Sequence, residues 1–129
     1  MTIERINPEG LFQSPAFSQA TIAPAGRTLY IGGQNGIDAS GHLAEGIAGQ
    51  TRQVFENLDT ILATVGATPS DVAKLTIALV DTVDPTEGFQ AVPAEWATVR
   101  TAITVLLVSR LGKGPDTLVE VDAVVALPD

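Results

Sequence analysis

Two acids sit inside an otherwise apolar run near the C-terminus, Thr117-Leu118-Val119-Glu120-Val121-Asp122-Ala123-Val124-Val125-Ala126-Leu127. Burying a carboxylate is costly unless it is paired or has a task, so such acids are candidates for chemistry. In a strand, side chains two apart share a face; Glu120 and Asp122 then point one way with Val124, and Val119, Val121, Ala123 and Val125 point the other. That acid face is either wet or lines a pocket. On composition alone, a solvated or ion-paired acid on an edge strand is the plainer reading of Glu120, and still more so of Asp122. In a pocket, Glu120 would act as a proton donor and acceptor toward water.

Other chemistries find less support. The single His42, in Ser40-Gly41-His42, would have to serve any Ser-His-Asp triad, and nothing marks a nucleophile elbow. The lack of cysteine excludes thiol catalysis, disulfides and thiolate zinc sites, and the single His42 cannot make a His-based metal site alone. Gly32-Gly33 and Gly112-Lys113-Gly114 fit neither a phosphate-cradling loop nor a dinucleotide fingerprint, and read as turns or points of close backbone approach. With 15 acidic and 7 basic residues the net charge is −8, which repels polyanions, and the scattered aromatics form no stacking platform beside a basic patch. Nucleic-acid binding is therefore disfavoured. The first residues lack the regions of a signal peptide and no apolar run approaches the ~18 residues of a membrane span, so a cytoplasmic protein with no membrane association is expected.

At 129 residues the chain is long enough for one core, and no linker divides it, so residues 1–129 read as one domain. Gln19 to Ala23 and Thr28 to Gly32 read as a hairpin joined by Pro24-Ala25-Gly26-Arg27. Gln34 to Gly46, with Asn35-Gly36 and Asp38-Ala39-Ser40-Gly41, reads as a second short hairpin or a long ordered loop. From Ile47 to Val65, Val54, Phe55, Leu58, Ile61, Leu62 and Val65 recur at helical spacing, with Gly66 as the stop and Gln50, Arg52, Gln53, Glu56, Asp59 and Thr60 on the wet face. Val72 to Val80 and Ile103 to Val108 read as strands buried on both faces. Asp81 to Gly88 reads as a loop, followed by a shorter helical segment through Phe89, Val92, Trp96 and Val99 that begins or bends near Pro93. The result is an α+β sheet whose two helices cover one face. An uncovered apolar sheet face implies burial against further copies, and hence a cyclic homo-oligomer.

The chain also resembles the RidA/YjgF family of reactive-intermediate deaminases. The resemblance is carried by Ser18-Gln19-Ala20, Leu29-Tyr30-Ile31-Gly32-Gly33-Gln34, Gly49-Gln50-Thr51-Arg52-Gln53-Val54-Phe55-Glu56-Asn57-Leu58, Gly66 to Thr76, and Leu118-Val119-Glu120-Val121-Asp122-Ala123. It implies a chorismate-mutase-like six-stranded mixed sheet with two helices on one face, a homotrimer, and small-molecule pockets at the subunit interfaces. It also implies cofactor-free hydrolysis of enamines or imines to carbonyl product and ammonia. The family's Glu falls on Glu120 and its pocket glycine on Gly33. Its pocket Tyr falls on Phe17, and the Ser before the glycine falls on Gly32. Counted back without a gap from Val108-Ser109-Arg110-Leu111, its carboxylate-binding Arg falls on Ile103; Arg100 takes that place only through a three-residue shift, which turns a strand side chain to the opposite face.

Backbone amides near Gly33 and Val105 complete the implied pocket. With Phe17, Gly32 and Ile103 present, it should favour uncharged or apolar ligands over 2-imino acids. A non-catalytic trimeric small-molecule-binding protein is the alternative. The ribonuclease or translation-inhibitor label sometimes attached to the family is disfavoured by the acid excess.

Overall fold

The computed structural model describes residues 2–128. The strands are β1 (Glu4–Ile6), β2 (Ala20–Ile22), β3 (Thr28–Gln34), β4 (Val72–Val80), β5 (Ala102–Val108) and β6 (Val119–Ala126); the helices are α1 (Gly46–Thr64), α2 (Pro85–Gln90) and α3 (Ala94–Ala97). The main sheet has the order β3-β6-β4-β5, with β6 antiparallel to both neighbours and β5 parallel to β4. The parallel β4–β5 pair requires a crossover, and α2 and α3 provide it.

The six strands do not form one sheet. β1 and β2 make a separate two-stranded ladder, so the expected hairpin of Gln19–Ala23 with Thr28–Gly32 is replaced: β2 pairs with β1, and β3 pairs with β6. The physical reason is the alternation in β3. Leu29 and Ile31 reach the core only when β3 lies beside β6, opposite Val125 and Ala123. The small ladder is tied to the main sheet by the Thr21 hydroxyl donating to Ala73 O at 2.6 Å and by Ile3 packing with Ala73 and Ala126.

Helix α1 forms where the three-and-four spacing requires it, and it buries Val54, Phe55, Leu58 and Leu62 against Leu75, Ile77 and Leu79 of β4 and the odd-numbered residues of β6. Burial of each such side chain contributes about 1.5–3 kcal/mol. Gly66, at φ +71°, follows the helix in the left-handed conformation that ends it without a Cβ clash. Gln50, read as part of the wet face, is only 2% exposed. Its amide clasps the entry to β6: Nε2 donates to Asp116 O at 2.9 Å, and Oε1 accepts from Leu118 N–H at 2.8 Å. A buried amide paired on both ends carries little desolvation cost.

The second helical region breaks at Pro93 as expected but starts earlier than expected. Asp84 caps α2 by accepting from Thr86 N–H, and Pro85 occupies its first turn, so helix begins inside the segment read as loop. Pro93 then divides α2 from α3, because it cannot donate within a continuous helix. Between β3 and α1, Ile37 bridges Leu43, giving the loop a single hairpin-like contact. Asp38 accepts there from the N–H groups of Ser40 and His42, and the His42 N–H chiefly holds its carboxyl below the ordinary carboxylate range. That contribution to loop order is present above the ordinary value and is lost as pH falls through the lowered one.

Strands β4 and β5 are not buried on both faces within one copy. Residues Lys74, Thr76 and Ala78 of β4 are only half-buried on the face away from the helices, and Val105, Leu106 and Leu107 of the edge strand β5 are exposed. The uncovered face is mixed, with Tyr30, Val124 and Leu106 beside Thr76, Thr104 and Asp122.

Two substitutions test this packing. Thr51 is buried on α1, and its hydroxyl lacks a hydrogen-bond partner among the described residues. Thr51→Val should therefore raise stability by about 1 kcal/mol, read as a higher melting temperature at fixed protein concentration. A Cβ on Gly36 would lie 2.6 Å from Gln50 Cα and 2.9 Å from its carbonyl oxygen, both backbone atoms of α1. Gly36→Ala should cost about 1–3 kcal/mol in the same measurement.

Candidate functional site

Glu120 pairs with Ala78 on β4, and Ala78 pairs with Leu106 on β5, so these three share the sheet face away from the helices. On the other side of the same strand lies Gly33, at the end of β3, where the β3–β6 register shifts between Ile31 and Gln34. The Glu120 carboxyl closes directly over this glycine: a Cβ there would meet Cδ at 2.6 Å, Oε2 at 2.7 Å and Cγ at 2.9 Å. A side chain at Gly33 would therefore displace the Glu120 carboxylate from this position. Gly32, by contrast, has nothing within 4 Å of an added Cβ.

The half-buried carboxylate is oriented by Asn35, whose local Asn35-Gly36 pattern is that of a turn former. Asn35 Nδ2 donates to Glu120 Oε1 at 3.2 Å and to Val119 O at 3.4 Å. Asn35 is itself held by α1, since Asn57 Nδ2 donates to the carbonyls of Asn35 and Ile37 at 3.1 and 3.0 Å, and Gln53 Nε2 donates to Asn57 Oδ1 at 2.9 Å. The relay Gln53–Asn57–Asn35–Glu120 runs from the helix to the carboxylate across a sheet edge. Nothing in the local Asn35-Gly36 pattern distinguishes this role from a turn. Asp122, opposite Thr76, is exposed.

The remaining candidates gather elsewhere. Phe17, Ile103 and Val105 line an apolar cavity of about 350 Å³ on the helix side of the sheet, together with Phe55, Phe89 and Trp96. Its floor is Leu75 and Ile77 of β4. Because Ile77 is opposite both Val105 and Val121, Val105 points to the core side, and Glu120 one residue on from the Val121 plane points to the other. Within one copy, then, Glu120 and Gly33 lie on one face, and Phe17, Ile103 and Val105 on the other.

Arg100 lies outside the cavity lining. It precedes β5 at φ +57°, is exposed, and its Nη2 donates to Ser14 O at 2.8 Å. Ile103, by contrast, lines the cavity wall. His42 is exposed in its loop, 4.0 Å from Asp38, and meets none of these residues. Among the described residues no group of three or more His, Cys, Asp or Glu side chains is placed to hold a metal ion, and no helix is long and apolar enough to cross a membrane.

A long helix and two short ones on one face of a β3-β6-β4-β5 mixed sheet define an α+β domain of a recurrent type. A Rid-family protein from Yersinia pestis shares it with a TM-score of 0.86 at 33% identity, covering 98% of this chain and 100% of that one. RidA from Psychrobacter sp. shares it with a TM-score of 0.71 at 30% identity, covering 89% and 97%. In sequence, a RutC family protein of Pyrococcus horikoshii is 37% identical over 110 residues, 84% of each chain. The human 2-iminobutanoate/2-iminopropanoate deaminase is 39% identical over 67 residues, 50% of this chain and 47% of that one. The Endoribonuclease L-PSP family matches residues 11–127, and the chain belongs to this family, also known as the YjgF/RidA family.

Gly33→Ala tests the close approach. The helix propensity of the chain is not involved, and alanine in a strand is favoured over glycine by roughly 0.5–1 kcal/mol, which offsets the movement of a flexible carboxylate. The variant should keep its melting temperature within a few degrees while the Asn35 side-chain amide resonances shift, as the hydrogen bond to Glu120 is lost.

Proposed function

We propose that this protein is a hydrolytic deaminase of a reactive imine or enamine, acting without metal or cofactor. The observation that carries the reading is the Glu120 carboxylate: half-buried, seated against the Cα of Gly33 and held by Asn35, in a chain of the YjgF/RidA family. The human and rat relatives named as imine deaminases match about half of the chain, which supports the reaction class.

In this reading Glu120 holds a water beside the C=N carbon and passes its proton toward nitrogen. Water adds across C=N to give a carbinolamine, the nitrogen is protonated, and the C–N bond breaks as the carbonyl forms. Ammonia leaves. The atoms balance as imine plus water to carbonyl compound plus ammonia, and no oxidant is required.

The two groups of site residues lie on opposite faces of one copy, so the reading requires a second copy to bring Glu120 and Gly33 to the cavity bearing Phe17, Ile103 and Val105. An exposed apolar edge strand, with Leu107 57% exposed, supports such an assembly. A cyclic homotrimer places one site at each of three equivalent interfaces. The nuclease sense of the family's description is disfavoured by the net charge of −8.

Ile103 favours a second reading. An isobutyl-like side chain cannot make the paired hydrogen bonds of a guanidinium to a carboxylate, an interaction worth roughly 1.5–3 kcal/mol. A small-molecule-binding protein without turnover fits that loss.

One set of measurements separates the readings. Imines are generated in situ from several amino acids and amines, and carbonyl release is followed with the native protein and Glu120→Ala. The deaminase reading expects at least a hundredfold loss in the variant; identical background rates in both proteins would leave only the binding reading. Ile103→Arg should raise kcat/KM on carboxylate-bearing imines by about tenfold or more. Gel filtration should give an apparent mass near three times the 13.4 kDa chain, and a monomer would remove the completed site.

A further inference from the structure

The distribution of aromatic residues carries a more specific inference about the cavity. The chain has only four Phe, one Tyr and one Trp. Three of those Phe (Phe17, Phe55 and Phe89) and the single Trp96 line one cavity. Phe55 and Trp96 belong to the buried core, which is otherwise aliphatic, whereas Phe17 is partly buried and Phe89 exposed, so the cavity is aromatic both at its base and at its rim.

Two of the rings are also fixed in orientation. Phe55 and Trp96 meet edge to face, with centroids 5.1 Å apart and planes at 64°. Trp96 Nε1 donates to Asp59 Oδ1 at 2.8 Å, which anchors the indole from the side of α1. This bond satisfies the one polar group of the indole, so its apolar surface is what remains for the cavity. The space, about 350 Å³, lies at the lower end of the range for small-molecule sites. An engineered apolar cavity of roughly 150 Å³ already admits benzene, so a substituted benzene or a bicyclic ring fits here.

Charge selects against an acid. All of the lining side chains are apolar, and Arg100, the cation that precedes β5, donates to Ser14 O instead. A carboxylate entering this cavity would lose its hydration without gaining a partner.

We propose that this cavity is a recognition site for a neutral aromatic group, and that the protein acts on an aryl-substituted imine or enamine lacking a carboxylate. Naming this group as part of a substrate rests on the deaminase reading; the recognition of a neutral ring does not. The aryl group packs between Phe17 and Phe89 with its edge toward Trp96, and the C=N carbon remains at the cavity mouth by Ile103 and Val105.

The probes are acetophenone, a neutral aryl ketone of the product type, and benzoate, its charged counterpart. Binding is measured by calorimetry, and site occupancy by the indole N–H resonance of Trp96, which is unique in the chain. Acetophenone should bind at least tenfold more tightly than benzoate and shift that resonance. Ala97→Phe and, independently, Ala16→Phe place bulk at exposed positions of the cavity wall; each should weaken acetophenone at least tenfold while retaining the native melting curve and circular dichroism. Ile103→Arg should bring benzoate level with acetophenone or ahead of it.

Absence of acetophenone binding, or equal binding of both probes to the native protein, overturns the proposal, as does binding unaffected by both wall variants. The deaminase reading is tested separately by carbonyl release. Acetophenone binding at this site without acceleration of any imine hydrolysis would overturn that reading and leave aromatic recognition standing. Hydrolysis of 2-iminopropanoate without acetophenone binding would do the reverse.

Discussion

The two-residue alternation of β6 is the constraint on which the rest of the molecule depends. Val119, Val121, Ala123 and Val125 must face α1, because their burial supplies much of the contact between helix and sheet. Once they do, Glu120 and Asp122 are committed to the opposite face, and a one-residue slip would bury two carboxylates. Gln50 strengthens this register from the helix side, since its amide pairs with the backbone of Asp116 and Leu118 just before the strand begins.

The same alternation divides the candidate site. Glu120 is positioned by contacts to Gly33 and Asn35 on the sheet face away from the helices, whereas Phe17, Ile103 and Val105 belong to the helix side. No side-chain rotation brings these groups together through a sheet. The proposed catalytic arrangement therefore depends on a repeated subunit, with the exposed edge strand β5 as the natural region of contact.

The cavity under α2 and α3 is set by the break in the crossover between β4 and β5. Pro93 breaks the crossover into two short helices, and the turn between them brings Phe89, Val92 and Trp96 over β4 and β5. Ile103 then completes an apolar wall. The lining that the cavity offers to a ligand is aromatic and uncharged.

Periodic segments were legible in the sequence by itself: the long helix through Val54, Phe55, Leu58 and Leu62, the strands around Val72–Val80 and Ile103–Val108, and the two-faced last strand, because local spacing determines which side chains share a face. The motifs singled out Glu120 and Gly33 as candidates, and their direct approach is a product of the β3–β6 pairing. Strand partnership was decided only by the tertiary structure: β3 leaves its neighbour in sequence to pair with β6, since long-range burial of Leu29 and Ile31 outweighs a short connection. Gln50 reads as polar and exposed until the backbone of β6 arrives to satisfy it, and Asn35 reads as a turn residue until Glu120 folds over Gly33. Phe55, Phe89 and Trp96 read as helical positions from their spacing, which specifies the side that a residue faces; whether a neighbour fills that space or leaves a cavity depends on elements far apart in the chain.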